Sequence, residues 1–174
     1  MVFDEEKWRK LVFYGNSCLG ISSLCHDNQH VIMIDYDALN FEDATRDVQK
    51  LQKKFRLSDA LLCQTTHGFH CYILDKFPYA KICEIIKESK ADPWFKSAEC
   101  RQKMGMVILR ISSRGESPPP VFKAIIPSRW SGVHVQSFAH WAFLRWFYGA
   151  PLKYPVYNDG SDKILVYLYK TLRN

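Results

Sequence analysis

Two aspartates close a short apolar run, Val31-Ile32-Met33-Ile34-Asp35-Tyr36-Asp37. A β-branched, apolar stretch of this length reads as a buried strand. Alternation along a strand then sets Asp35 and Asp37 on one face, one pleat apart. Carboxylates that close repel each other, and keeping both ionised away from water is costly. A divalent cation removes the conflict, and oxygen donors of this kind select Mg²⁺ or Mn²⁺. A plainer alternative makes Asp35 an ordinary strand-end residue and Asp37 the start of a turn. Asp-x-Asp alone does not decide between them.

A second polar group gathers at Thr65-Thr66-His67-Gly68-Phe69-His70-Cys71-Tyr72-Ile73. Here a strand, a glycine turn and a returning strand bring polar atoms to one place. Alternation turns Phe69 and Cys71 one way, and His70 and Tyr72 the other. A histidine on the polar face can meet a phosphate or a metal-bound oxygen, with the Thr65 hydroxyl or a turn amide adding donors. A lone histidine in a hairpin more simply finds a structural partner.

The third group is Leu109-Arg110-Ile111-Ser112-Ser113-Arg114-Gly115. Arg110 and Ser112 share a face of an otherwise apolar strand, and Arg114 follows in the loop. A guanidinium in such a strand needs an anionic partner, either a phosphate or a structural carboxylate. Cys18, Cys25, His26 and His30 are zinc-type ligands in a short stretch, but their spacing matches no common finger. No zinc is expected there.

These residues must be positioned by a modest number of elements. The chain has 174 residues, enough for one domain with a core, and we expect 1–174 to form a single domain. Hydrophobic residues make up 47% and charged residues 24%, which excludes a disordered or fibrous class. The formal charge of +6 suits a polyanionic partner without demanding one. The six cysteines contain no Cys-x-x-Cys pair and no leader-like segment opens the chain, which points to reduced thiols in an intracellular setting. No apolar run reaches membrane-spanning length.

Asp4 to Val12 suits a short helix, acidic first and basic later. Strands are expected over 31–36, 60–65, 69–74, 106–112 and 121–126. Asn40 should cap a helix over 41–55, and further helices are expected over 79–89, 93–103 and 133–148. The run 164–168 fits a strand or a helix. The stretch SSRGESPPP, 112–120, reads as an exposed loop. This order suggests an α+β layer architecture, with helices on a mixed or antiparallel sheet.

In combination and in this order, the three polar groups resemble the archaeo-eukaryotic primase superfamily, over about Val31 to Arg114. That family carries an apolar strand ending in Asp-x-Asp or Asp-x-Glu, matched by Ile34 to Asp37. It then carries a small residue-x-His motif on a hairpin, matched by Gly68 to His70. The resemblance implies a modified RRM-like sheet and a primase or primase-polymerase activity. Asp35 and Asp37 would hold the catalytic Mg²⁺ or Mn²⁺, and His70 would contact the incoming nucleotide's phosphates. Thr65, Arg110, Ser112 and Arg114 are the further nucleotide-binding candidates. The implied partners are nucleoside triphosphates, a single-stranded DNA or RNA template and other replication proteins, in a cellular, viral or plasmid system. The family also draws a third carboxylate from a later strand, where this chain has Arg110. Glu116, Asp159 and Asp162 are the substitutes in the sequence.

Two rival readings remain. A rolling-circle HUH nuclease needs two histidines one residue apart on one strand face, whereas His67 and His70 straddle a glycine. An RRM-like binder of single strands would stack bases on Phe69 and Tyr72 and track the backbone with the basic residues of 123–129. It leaves the paired aspartates idle. The helix segment HWAFLRWFYG, 140–149, is too densely aromatic for one exposed stripe, so its rings are expected in the core.

Overall fold

The structure, a computed structural model, describes residues 17–97, 105–155 and 166–170. In chain order the elements are β1 Ser17–Ser22, β2 His30–Asp37, α1 Phe41–Phe55, β3 Ala60–Gln64 and β4 Gly68–Phe77. There follow α2 Tyr79–Glu88, β5 Ile108–Arg110, β6 Val121–Ile126, α3 Phe138–Tyr148 and β7 Val166–Lys170. This is an α+β fold, but its strands form two sheets rather than one. The order is β2-β4-β3-β6 in the larger and β5-β1-β7 in the smaller, and all the pairings are antiparallel.

Local signals account for α1. Asn40 Oδ1 accepts from the Asp43 backbone N–H at 2.8 Å, Glu42 and Asp43 lie in the first turn, and Lys53 and Lys54 in the last. Ala44, Val48 and Leu51 recur at helical spacing and are all fully buried. They lie on the larger sheet, where the Tyr36 hydroxyl donates to Asp47 Oδ2 at 2.9 Å. Tyr36 and Phe69 therefore belong to the helix-covered face, Phe69 meeting Phe41 of α1 at 5.9 Å between ring centres. The neighbouring positions Asp35, His70 and Tyr72 point to the opposite face. There the Tyr72 ring lies 6.2 Å from Tyr148 at the end of α3. One buried cluster runs from Leu19 in β1 to Leu152 beyond α3 and joins both faces.

Gly68 is required at its position by contact. A Cβ there would sit 1.7 Å from the Tyr36 carbonyl oxygen. The two backbones can close over Asp37 only because that atom is missing.

Several expectations need correction. Residues 17–22 form β1, the central strand of the smaller sheet, where the sequence suggested only candidate ligands. Residues 133–137 are not helical. Residues 133 and 134 bend, and 135–137 run against β4, Lys76 N–H donating to Val135 O and Ser137 N–H to Leu74 O, so α3 starts only after the Ser137 cap. Pro93–Ser97 forms turns closed by Asp92 instead of the first part of a helix, and the rest of 93–103 lies outside the described residues from 98 on. The strand expected over 106–112 shortens to Ile108–Arg110. The run 164–168 is represented by strand β7. The helix expected near the N-terminus lies outside the described residues. Among the described residues no helix is long and apolar enough to cross a membrane.

Candidate functional site

The antiparallel register brings the first two polar groups together. Asp35 lies directly opposite His70, and Asp37 opposite Gly68. His70 Nε2 is 3.6 Å from Asp35 Oδ1. The Asp35 side chain is 28% exposed and that of His70 only 6%, so the pair lies at the edge of the interior.

Electrostatics at this pair are unusual. Burial, then the neighbouring charges of Asp37 and Asp92, push the Asp35 carboxyl up to about 7. Arg110 and Arg114 pull the other way and do not win. Burial drives His70 down to about 3, helped by the Arg110 guanidinium and only partly opposed by the Arg110 backbone. The ring is therefore neutral at ordinary pH, and its contact with Asp35 is not an ion pair. His70 Nδ1 is buried without a well-formed hydrogen bond. A buried ring met only by a weak contact with the Arg110 backbone keeps part of the roughly 1–3 kcal/mol cost of an unmade bond, which a bound group would recover.

Arg110, on β5, overlooks this pair from the smaller sheet. Its Nη1 donates to the Ser112 carbonyl and to the Pro118 carbonyl at 2.9 Å, which folds the 112–118 loop around it. Arg114 is exposed in that loop, its backbone bridged both ways to Ser117 at 3.0 Å. Among the described residues neither guanidinium has an ion pair; both feel Asp35 at longer range. The carboxylate partner allowed for Arg110 by the sequence is thus replaced by carbonyls.

The other candidates have local tasks. Thr65 Oγ1 accepts from Gly68 N–H at 3.0 Å and so shapes the hairpin turn that delivers His70. Ser112 is buried, its hydroxyl accepting from Leu19 N–H at 2.7 Å and donating to Ser113 O. That use ties β1 to the loop. Glu116 is exposed in the loop, and Asp159 and Asp162 lie outside the described residues.

The carboxylate that joins the pair is Asp92, which sequence reasoning missed. Its backbone N–H donates to Asp35 O at 2.9 Å, and its Oδ1 accepts from Phe95 N–H at 3.0 Å. The Asp-Pro pair after α2 marks a turn in the sequence, but nothing in it links that turn to a strand end more than fifty residues earlier. Among the described residues no three His, Cys, Asp or Glu side chains are gathered closely enough to hold a metal by themselves. Mg²⁺ commonly takes one or two protein carboxylates and completes its shell with water and substrate phosphate. The charge crowding of Asp35 beside Asp37 and Asp92 fits that mode of binding.

The cysteine and histidine cluster is dispersed into the fold. Cys18 is buried in β1, His26 is exposed, and His30 begins β2 with Nδ1 2.9 Å from Ser23 Oγ. Cys25 approaches Ser23 O and His140 instead. Phe69 and Tyr72 are 5% and 1% exposed, so neither offers a face to a base. In α3, Phe143 and Leu144 are core as expected, whereas Trp146 and Phe147 are exposed.

The fold and site thus define an α+β fold in which a crowded carboxylate group and a neutral buried imidazole on the larger sheet face two guanidinia that have no ion pair among the described residues. Comparison with protein-family models, with curated proteins and with solved structures finds no match to this chain.

Proposed function

We propose that this domain is a primase-polymerase-like nucleotidyltransferase built on a modified RRM-like sheet. It acts on nucleoside triphosphates and a single-stranded DNA or RNA template, with Mg²⁺ or Mn²⁺ and other replication proteins as partners. The observation that carries this reading is the β2–β4 register, which sets Asp35 opposite His70 and Asp37 opposite the glycine that lets the strands close.

Asp35 and Asp37 would hold the cation, with Asp92 adding negative charge from a separate segment. A bound cation supplies neutralisation of phosphate charge and a geometry for in-line transfer. His70, neutral, offers a ring N–H to a phosphate oxygen without adding a buried charge. Arg110 and Arg114 supply positive charge near Asp35, Arg114 from the exposed part of the 112–118 loop. A chain that lacks an acid on β5 but carries Asp92 departs from the family in where its third carboxylate arises. The single-strand binder is the weaker reading, because the two rings it relies on are buried.

The test is calorimetric binding of a nucleoside triphosphate with Mn²⁺, with Mg²⁺ and with chelator, together with primer synthesis. Wild type should bind only with metal, and Asp35→Ala/Asp37→Ala should lose binding by at least about 10-fold, the loss of one or more charge-assisted contacts. Product from wild type alone completes the case for a transferase. Equal binding by wild type and double variant would remove the site.

A further inference from the structure

The opposite end of the larger sheet carries a different surface. β6 runs from Val121 opposite Gln64 to Ile126 opposite Ala60, away from the His70 hairpin, and the 127–131 loop follows. α1 ends at the same side. Fifteen residues at 1.5 Å each put its C-terminus about 20 Å from its start beside Asp37.

Two guanidinia meet one indole there. Arg129 lies 4.5 Å from the Trp130 ring centre and Arg56 5.4 Å. The loop that presents them is wired to the fold. Ser128 N–H donates to Asp59 Oδ1 at 2.7 Å, Ser128 Oγ to Leu57 O at 2.6 Å, and Ser131 Oγ to Asp59 Oδ1 at 2.5 Å. Trp130 N–H in turn donates to Ser128 Oγ at 3.1 Å.

Arg56 caps α1 in the left-handed region, at φ 56°, a position that favours glycine. A long charged residue there is held at a conformational cost, and such costs concentrate at functional positions.

The local acids are already engaged. Glu88 takes Lys54 at 2.6 Å, Glu84 takes Lys81 at 2.8 Å, and Asp59 holds the loop and Lys153. Lys50, Lys53, Arg56 and Arg129 are exposed and have no ion pair among the described residues. The face therefore carries a net positive field and one partly buried indole.

From this we infer that the Arg56–Trp130–Arg129 face is a second nucleic-acid surface, independent of the carboxylate site, which holds the phosphates and a base of a single strand. Guanidinia pair with phosphates and keep their charge at any physiological pH, and indole stacks on a base of any sequence. The inference does not need nucleotide chemistry at Asp35.

The test is fluorescence anisotropy with labelled oligo(dT) of about 16 nucleotides, the upper end of usual single-strand site sizes. It is run in EDTA at about 50 and 200 mM salt, the range over which phosphate contacts show their salt dependence. Wild type should bind, and Arg56→Gly/Arg129→Ser should weaken binding about 10-fold and flatten the log–log salt slope by roughly 1.4, two lost contacts at ~0.7 each. Arg56→Gly alone relieves the left-handed strain, so it should keep or raise the melting temperature while still weakening binding. Trp130→Ala should weaken binding and leave the salt slope unchanged. Because the assay runs in EDTA, which strips any metal from Asp35 and Asp37, the binding it reads is separate from the metal-dependent carboxylate site. Oligo(dT) binding unchanged in the double arginine variant would overturn the inference. So would wild type binding phosphatidylserine vesicles but not oligo(dT).

Discussion

Two buried histidines in this domain live under opposite terms. His140, in α3, uses both ring nitrogens: Nδ1 meets Ser137 Oγ at 2.7 Å and Nε2 meets Ser22 O at 2.8 Å. His70 is buried to nearly the same degree, yet its Nδ1 has no well-formed partner and its Nε2 stands 3.6 Å from a crowded aspartate. Burial of a polar group is tolerated when its hydrogen bonds are made inside. His140 meets that condition and is a structural residue, joining α3 to β1. His70 does not meet it, and beside it Asp35 is crowded by other carboxylates while Arg110 is held only by carbonyls. On the proposed reading, that difference is what leaves the β2–β4 end able to take a ligand.

The largest expected effect comes from removing the close approach that creates the His70 site. Gly68→Ala forces a methyl into the Tyr36 carbonyl, so the strands must part where Asp35 faces His70. A loss of about 3 kcal/mol is expected, at the upper end of overpacking costs, and a melting temperature lower by roughly 10 °C in a domain of this size. A melt within a degree or two of wild type would mean that the strands do not close as described.

The contrast itself is sharpened by one substitution at each histidine. Replacing His140 by Leu strands the Ser22 carbonyl and the Ser137 hydroxyl and should cost roughly 2 kcal/mol. His70→Leu removes a weakly bonded ring and should be near neutral, within about 1 kcal/mol, while eliminating metal-dependent nucleotide binding. Chemical denaturation of both variants checks the pair. Equal destabilisation would make His70 another structural histidine.

The last effect is a pH signature, small in wild type because two titrations oppose each other. Asp35 holds a proton up to about 7 in the folded state but only to about 3.8 unfolded. Between those values the native state binds more protons, so its contribution to stability is present at low pH and lost as pH rises through 7. His70, lowered to about 3 from 6.5, acts in reverse: unfolding takes up a proton below 6.5, so stability is lost as pH falls through that range. The two oppose each other from about 4 to 6.5, and only Asp35 acts just above. Asp35→Asn should therefore unmask a slope that rises with pH, and His70→Leu one that falls, each on the order of 1 kcal/mol per unit. Denaturant midpoints between pH 4 and 8 read both slopes, and parallel profiles for the two variants would break the scheme.

Much of this molecule is legible in its residues. The apolar run before Asp35, the Asn40 cap with its acidic first turn, and the hairpin through Gly68 all rest on short-range chemistry, and the structure carries them. Alternation also assigns Asp35 and His70 to the same kind of face, since period two is a property of any strand. Residues 17–22 and 135–137 were not legible, because both are held by pairing with distant strands rather than by their own pattern. The same holds for Asp92, which reaches Asp35 through a backbone hydrogen bond that no local signal announces. The sequence by itself determined which residues could carry charge and which segments would be strands or capped helices. Only the tertiary structure decided that the carboxylates crowd one end while Arg56, Arg129 and Trp130 meet at the other. Register, sheet order and the burial that shifts a proton are set by contacts between segments far apart in the chain.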